Sequence, residues 1–152
     1  MCCLNVSGKK SSVIAVDLQD IAPIEGATIL SKCDFTSLDV QKRILTLLNN
    51  RKVDVVLSDM APSASGIKSI DHDQIVKLIT SAFTLARVVL KDNGTFLFKL
   101  LSGSEEQKLI AMLRQHFKLV NSVKPGASRT DSAEVFVLCR TFMRTQVIHN
   151  KP

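Results

Sequence analysis

Short runs rich in β-branched residues alternate along this chain with longer stretches of helical period, and that alternation limits the fold more than any other feature. Val-Ile-Ala-Val at residues 13–16 stops at Asp17, and the run at 53–57 stops at Ser58-Asp59. Compact apolar runs bounded by polar residues suit parallel strands buried on both faces. Between them, Thr36 or Ser37 is placed to cap a helix carrying Val40, Ile44, Leu47 and Leu48 at helical spacing, with Asn49-Asn50 to end it. Asp71, with Gln74 in the next turn, opens the longest helical stretch, which carries Ile75, Ile79, Ala82, Phe83, Ala86, Val89 and Leu90. Asp92-Asn93-Gly94 predicts a turn, residues 95–98 a third strand ending at Lys99, and Ser104 with Gln107 a capped helix carrying Leu109, Leu113 and Phe117. No helical pattern separates 119–123 from 135–138, so these two predict an antiparallel hairpin.

Strand and helix in alternation give an α/β fold, an open and mostly parallel three-layer sheet with an antiparallel C-terminal hairpin. Ligands of such sheets bind beyond the carboxyl ends of the parallel strands. Asp17, Asp59 and Lys99 fall at those ends, and Glu134 begins an antiparallel strand, which starts on the same rim. The basic loop 124–129, with Lys124 and Arg129, comes just before it. Five separated features therefore converge on one edge.

Taken singly, each residue has an ordinary structural role beside a functional one. Asp17 suits the carboxylate that accepts hydrogen bonds from a nucleotide ribose, or a plain turn residue. Asp34 suits contact with an adenine amino group, or the cap of the following helix. Ser58-Asp59-Met60-Ala61-Pro62 joins an acid to a proline that stops further pairing and to a small-residue loop, as a site-lining segment or a strand-to-helix turn would. Lys99 ends an apolar strand, where it either reaches solvent or meets carboxylates, with Asp59 and Glu134 as candidates. His72, His116 and His149 form no motif, and Met60 and Met112 are read as packing residues.

Composition matters here mainly for what it excludes. A net charge of +6 and a pI near 9.3 favour a polyanionic partner. The absence of Trp and Tyr argues against stacking bases on exposed rings. Cys2, Cys3, Cys33 and Cys139 make no C-x-x-C pair and no set with histidine, so no metal site is expected. No apolar run approaches the roughly 18 residues of a membrane span, and residues 1–10 carry no secretory core or arginine-rich transit pattern. G-x-S-x-G, H-E-x-x-H and Walker A patterns do not occur.

Read in order, Val16-Asp17-Leu18, Pro23-Ile24-Glu25-Gly26, Asp34, Ser58-Asp59-Met60-Ala61-Pro62, Gly94-Thr95-Phe96-Leu97-Phe98-Lys99, Lys124-Pro125, Ser128-Arg129 and Glu134-Val135 resemble the FtsJ-type ribosomal RNA 2′-O-methyltransferases. Glu25-Gly26-Ala27-Thr28 and Asp71-His72-Asp73 look most like the mitochondrial large-subunit rRNA uridine methyltransferase branch. The resemblance implies a Rossmann-like fold, S-adenosylmethionine as methyl donor, and ribosomal RNA or the large ribosomal subunit as partner. It also implies a mitochondrial location. Carried over by position, it gives Asp17, Asp34 and Asp59 to the cofactor, Lys99 with Asp59 and Glu134 to catalysis, and Lys124 and Arg129 to RNA phosphates.

The likeness runs from about residue 13 to 140, and the expected division is a segment 1–12 outside the family, an incomplete methyltransferase domain over 13–141 and a polar tail over 142–152. The family's first strand, its G-A-A-P-G cofactor loop and an additional catalytic lysine have no counterpart in these residues. A missing central strand would leave backbone unpaired on both neighbours. A second lysine would favour the neutral, base-competent form of Lys99, whereas flanking carboxylates favour the charged one. The expectation is a truncated chain that binds S-adenosylmethionine poorly and does not methylate RNA alone. A non-catalytic RNA-binding or ribosome-assembly subunit needs only the basic rim, and a nucleotide-dependent oxidoreductase would share the fold and Asp17.

Overall fold

The strands are β1 (Cys2–Val6), β2 (Ser12–Val16), β3 (Ala27–Leu30), β4 (Val53–Ser58), β5 (Leu90–Leu101), β6 (Phe117–Val123) and β7 (Glu134–Phe142). They form one sheet in the order β3-β2-β1-β4-β5-β7-β6. The helices are α1 (Leu38–Leu48), α2 (Lys68–Val89) and α3 (Glu106–Leu113). This is a computed structural model, and it describes residues 2–6, 12–62, 65–101, 103, 105–124 and 134–144.

The central position is not vacant. β1 lies between β2 and β4 and runs antiparallel to both, pairing Cys2–Val6 against Val16–Ser12 on one side and Cys2–Asn5 against Ser58–Val55 on the other. The sheet thus lacks the usual parallel first strand, but the unpaired edges expected of its loss are closed by a reversed one. Two neighbouring edges that would each be left open supply the reason for pairing there. Strands β2, β3, β4, β5 and β6 all point one way, and β1 and β7 oppose them. The mostly parallel expectation holds for direction. It does not hold for contact, since only β2–β3 and β4–β5 are parallel pairs.

The two faces of the sheet differ. Val56, Phe96, Cys139 and Val120 lie side by side in the register and are all buried, whereas Leu57, Leu97, Leu138 and Asn121 in the next row are half-buried or exposed. Phe83 of α2 stacks on Phe96 with centroids 6.1 Å apart. Gln41 of α1 donates to the Ser81 hydroxyl of α2, and the Glu105 amide at the start of α3 donates to His72 of α2. The helices therefore share the buried face, and the described residues make two layers where three were expected.

Local chemistry accounts for most element ends. Asn49 closes α1 in the left-handed region at φ 45°, its amide donating to the Leu45 and Thr46 carbonyls, as its sequence position predicts. Ser37 is the N-cap, but its side chain makes no capping bond. α2 begins at Lys68 rather than Asp71, and the Asp71 carboxylate instead accepts the Ser65 amide from the preceding loop at 2.7 Å. Asp92-Asn93-Gly94 is not a free turn but part of a bulge in β5, with Val53 opposite Leu90 and Val55 opposite Thr95. Gly94 is needed there, because a Cβ would sit 2.9 Å from the Lys91 carbonyl oxygen. Phe117 opens β6 instead of closing α3. The predicted hairpin forms, with β7 inserted between β5 and β6. Ser104 lies outside the described residues.

Candidate active site

The register of the sheet assembles the acidic and basic residues before any specific contact is considered. Ser58 opposite Phe98 is the last pair between β4 and β5, so Asp59 follows into the row of Lys99, while Phe136 of β7 flanks Lys99 on the other side. Glu134 pairs with Leu101, which makes it a diagonal neighbour of Lys99 on the same face. The Lys99 ammonium lies 2.9 Å from Asp59 Oδ1 and 3.7 Å from Glu134 Oε1. Its side chain is only 14% exposed, against 65% for Asp59 and 50% for Glu134. A mostly covered cation is thus held between two carboxylates open to solvent.

Beside it is a cleft of about 280 Å³, close to the lower end of the roughly 300–1,000 Å³ usual for ligand pockets. Val16 at the end of β2 lines it with three loops, residues 17–19 after β2, 33–36 after β3 and 60–62 after β4, together with Leu78 of α2. Asp17 sits at the carboxyl end of β2. Its carboxylate accepts the Gln19 amide at 2.8 Å, and that hydrogen bond holds its carboxyl below the usual range, so the cleft carries a fixed anionic acceptor. Asp34 Oδ1 accepts both the Thr36 amide at 2.8 Å and the Thr36 hydroxyl at 2.7 Å. Its turn-forming role is therefore real, and it still lies on the cleft wall.

The structure brings Asp17 and Asp34 to one cleft and Asp59, Lys99 and Glu134 to one cluster. Lys124 follows Val123, whose row runs through Phe136 to Lys99, so it reaches the same rim. Arg129 lies outside the described residues. Residue-by-residue reading missed the cleft-lining Phe35 and Leu78, whereas Met60, Ala61 and Pro62 line the cleft as a site-lining reading of residues 58–62 expects, with Met60 also packed against the core. Phe35 follows Asp34 directly, and Leu78 precedes Ile79 on α2, so adjacency to already chosen positions was the available signal. Among the described residues no group of three or more His, Cys, Asp or Glu is placed to hold a metal ion, and no helix is long and apolar enough to cross a membrane.

Strand order, the cleft at the carboxyl ends and the acid–lysine–acid cluster define a Rossmann-like domain of the methyltransferase class. The FtsJ-like methyltransferase profile matches residues 1–142, and the chain belongs to that family. It is 45% identical over 135 residues to ribosomal RNA large subunit methyltransferase E of Parvibaculum lavamentivorans, covering 89% of this chain and 52% of that protein. It is 42% identical over 133 residues to the mitochondrial rRNA methyltransferase 2 of Caenorhabditis elegans, covering 85% of this chain and 62% of that protein. The chain thus spans only about half to three-fifths of the length of these curated relatives. A solved Plasmodium falciparum structure assigned as a ribosomal RNA methyltransferase superposes with a TM-score of 0.74 at 24% identity, covering 85% of this chain and 71% of that one, and supports the fold.

Proposed function

We propose that this protein transfers a methyl group from S-adenosylmethionine to a ribose 2′-hydroxyl of large-subunit ribosomal RNA, a uridine by the branch it resembles. The observation that carries the proposal is Lys99, held 2.9 Å from Asp59, whose next residue, Met60, lines the same cleft as Asp17 and Asp34. The cleft residues fit the adenosine part of the cofactor: Asp17 as acceptor for ribose hydroxyls, Asp34 at the adenine edge, and Phe35 and Leu78 as apolar walls. Asp59, at the junction of cleft and cluster, suits the positively charged part of the donor. When bound, S-adenosylmethionine supplies an activated methyl group.

A ribose hydroxyl is a weak nucleophile, so the chain must align it and take its proton. Lys99 is the proton acceptor in this reading. Asp59 and Glu134 orient its amine, and Lys124 and Arg129 hold RNA phosphates, giving affinity and salt dependence more than sequence choice. Among the described residues no glycine lines the cleft, and the residues that do line it offer the adenosine half of a cofactor site. We expect cofactor affinity weaker than micromolar. β1 in the central slot removes the open sheet edges as a ground for expecting an inert chain.

The mitochondrial relative supports a mitochondrial location, to be checked by fractionation. Labelled methyl incorporation into large-subunit rRNA at saturating cofactor, compared between wild type and Lys99→Ala, tests the function. RNA binding that survives Lys99→Ala with no methylation by either protein would favour the non-catalytic subunit instead. Family membership favours methyl transfer over hydride transfer.

A further inference from the structure

His72 is buried, 4% exposed, at the start of α2, and neither the cofactor cleft nor the Lys99 cluster uses it. Both ring nitrogens are engaged. Nε2 accepts the Glu105 amide at 3.1 Å, so the ring proton lies on Nδ1 and is donated to the Leu101 carbonyl at 2.9 Å. One neutral imidazole therefore ties α2 to the end of β5 and to the start of α3. The imidazole also occupies the space over Gly103, where an added Cβ would fall onto the ring. The preceding residue makes the complementary tie: Asp71 accepts the Ser65 amide, in the loop that follows Asp59-Met60-Ala61-Pro62.

From these contacts we propose that Asp71 and His72 form a paired pin at the head of α2, and that His72 is a positioning residue for Lys99. Asp71 holds the loop beyond Asp59, and His72 holds Leu101, the last residue of β5, two residues beyond Lys99. The two strand ends that carry the ion pair are thereby fixed to one helix. A donor and an acceptor about 2 Å apart on one rigid ring suit this task, whereas a purely apolar residue would fill the space without fixing the turn. The catalytic part of the proposal rests on the methyl-transfer reading above, but the pin itself does not.

The test compares His72→Phe, which fills the site without hydrogen bonds, with His72→Gln, whose amide can both donate and accept. Gly103→Ala displaces the ring without altering His72. Hydrogen exchange at the Glu105 amide is expected to speed up about fivefold in His72→Phe and Gly103→Ala, the loss of one hydrogen bond, and to stay near wild type in His72→Gln. In methylation assays His72→Phe should lower kcat by about tenfold or more, as misplacement of reacting groups does, with KM for RNA unchanged and His72→Gln restoring the rate. Unchanged Glu105 exchange in both His72→Phe and Gly103→Ala would overturn the pin. Altered exchange with unchanged kcat would overturn the positioning role. If wild type itself methylates nothing, the exchange result still decides the pin, and only the functional reading fails.

Discussion

Lys99, Asp59 and Glu134 show how charge and register act together at single positions. Lys99→Ala is expected to reduce methyl transfer by about a hundredfold or more, the usual range for a general base, without lowering the melting temperature by more than a few degrees. Single-turnover methylation alongside thermal melting checks both parts. A different titration governs acid stability. Hydrogen bonds from Gln19 to Asp17, and from Ser65 to Asp71, depress both carboxyls below the ordinary aspartate value. A depressed folded-state pKa gives stability above the unfolded value and loses it as pH falls through the folded one. Melting temperature should therefore drop on acidification below about pH 4, and Asp71→Asn should flatten that drop. An equally steep drop in Asp71→Asn would refute this. Burial pushes the Cys139 thiol up to about 12, so alkylation at neutral pH should leave it unmodified in the native protein and modify it once denatured.

Elements were legible in the sequence wherever periodicity was strong. β2, β4, α1, most of α2 and the β6–β7 hairpin lie where apolar spacing puts them, because their burial follows directly from that spacing. Strand β3 was missed because Ala27–Leu30 is a short run immediately after Gly26. β1 was missed for a deeper reason: five residues, two of them cysteines, with a polar Asn5 within, carry no periodic signal, and only the edges of β2 and β4 specify their place. The bulge in β5 looked like a turn because Asn93, at φ 63°, has turn geometry inside a strand. Gly94→Ala, meeting backbone oxygens of Lys91 and Asp54, should destabilise by about 1–3 kcal/mol, as overpacking does. Equilibrium denaturation would measure it, and a loss below about 0.5 kcal/mol would mean that the bulge relaxes freely.

For the molecule as a whole, the sheet edge on which the candidate residues sit was more legible than the order of the sheet around it. Strand-end residues find the carboxyl rim in any α/β fold, so Asp17, Asp59, Lys99 and Glu134 could be named without knowing which way the central strand runs. Phe35 and Leu78 needed the packed cleft. A net charge of +6 acquires meaning through the placement of Lys124 and Lys99 at that rim. Lys124→Ala should weaken RNA binding across sequences alike and reduce the slope of log affinity against log salt by about one. In the proposed reaction Lys99 takes the proton from a ribose hydroxyl while the methyl group passes to that oxygen. The most direct measurement is alkali-resistant ribose methylation of large-subunit rRNA by the purified protein at saturating S-adenosylmethionine. Methylation that appears with wild type and is lost with Lys99→Ala is the predicted result, and methylation that persists undiminished in Lys99→Ala would contradict it.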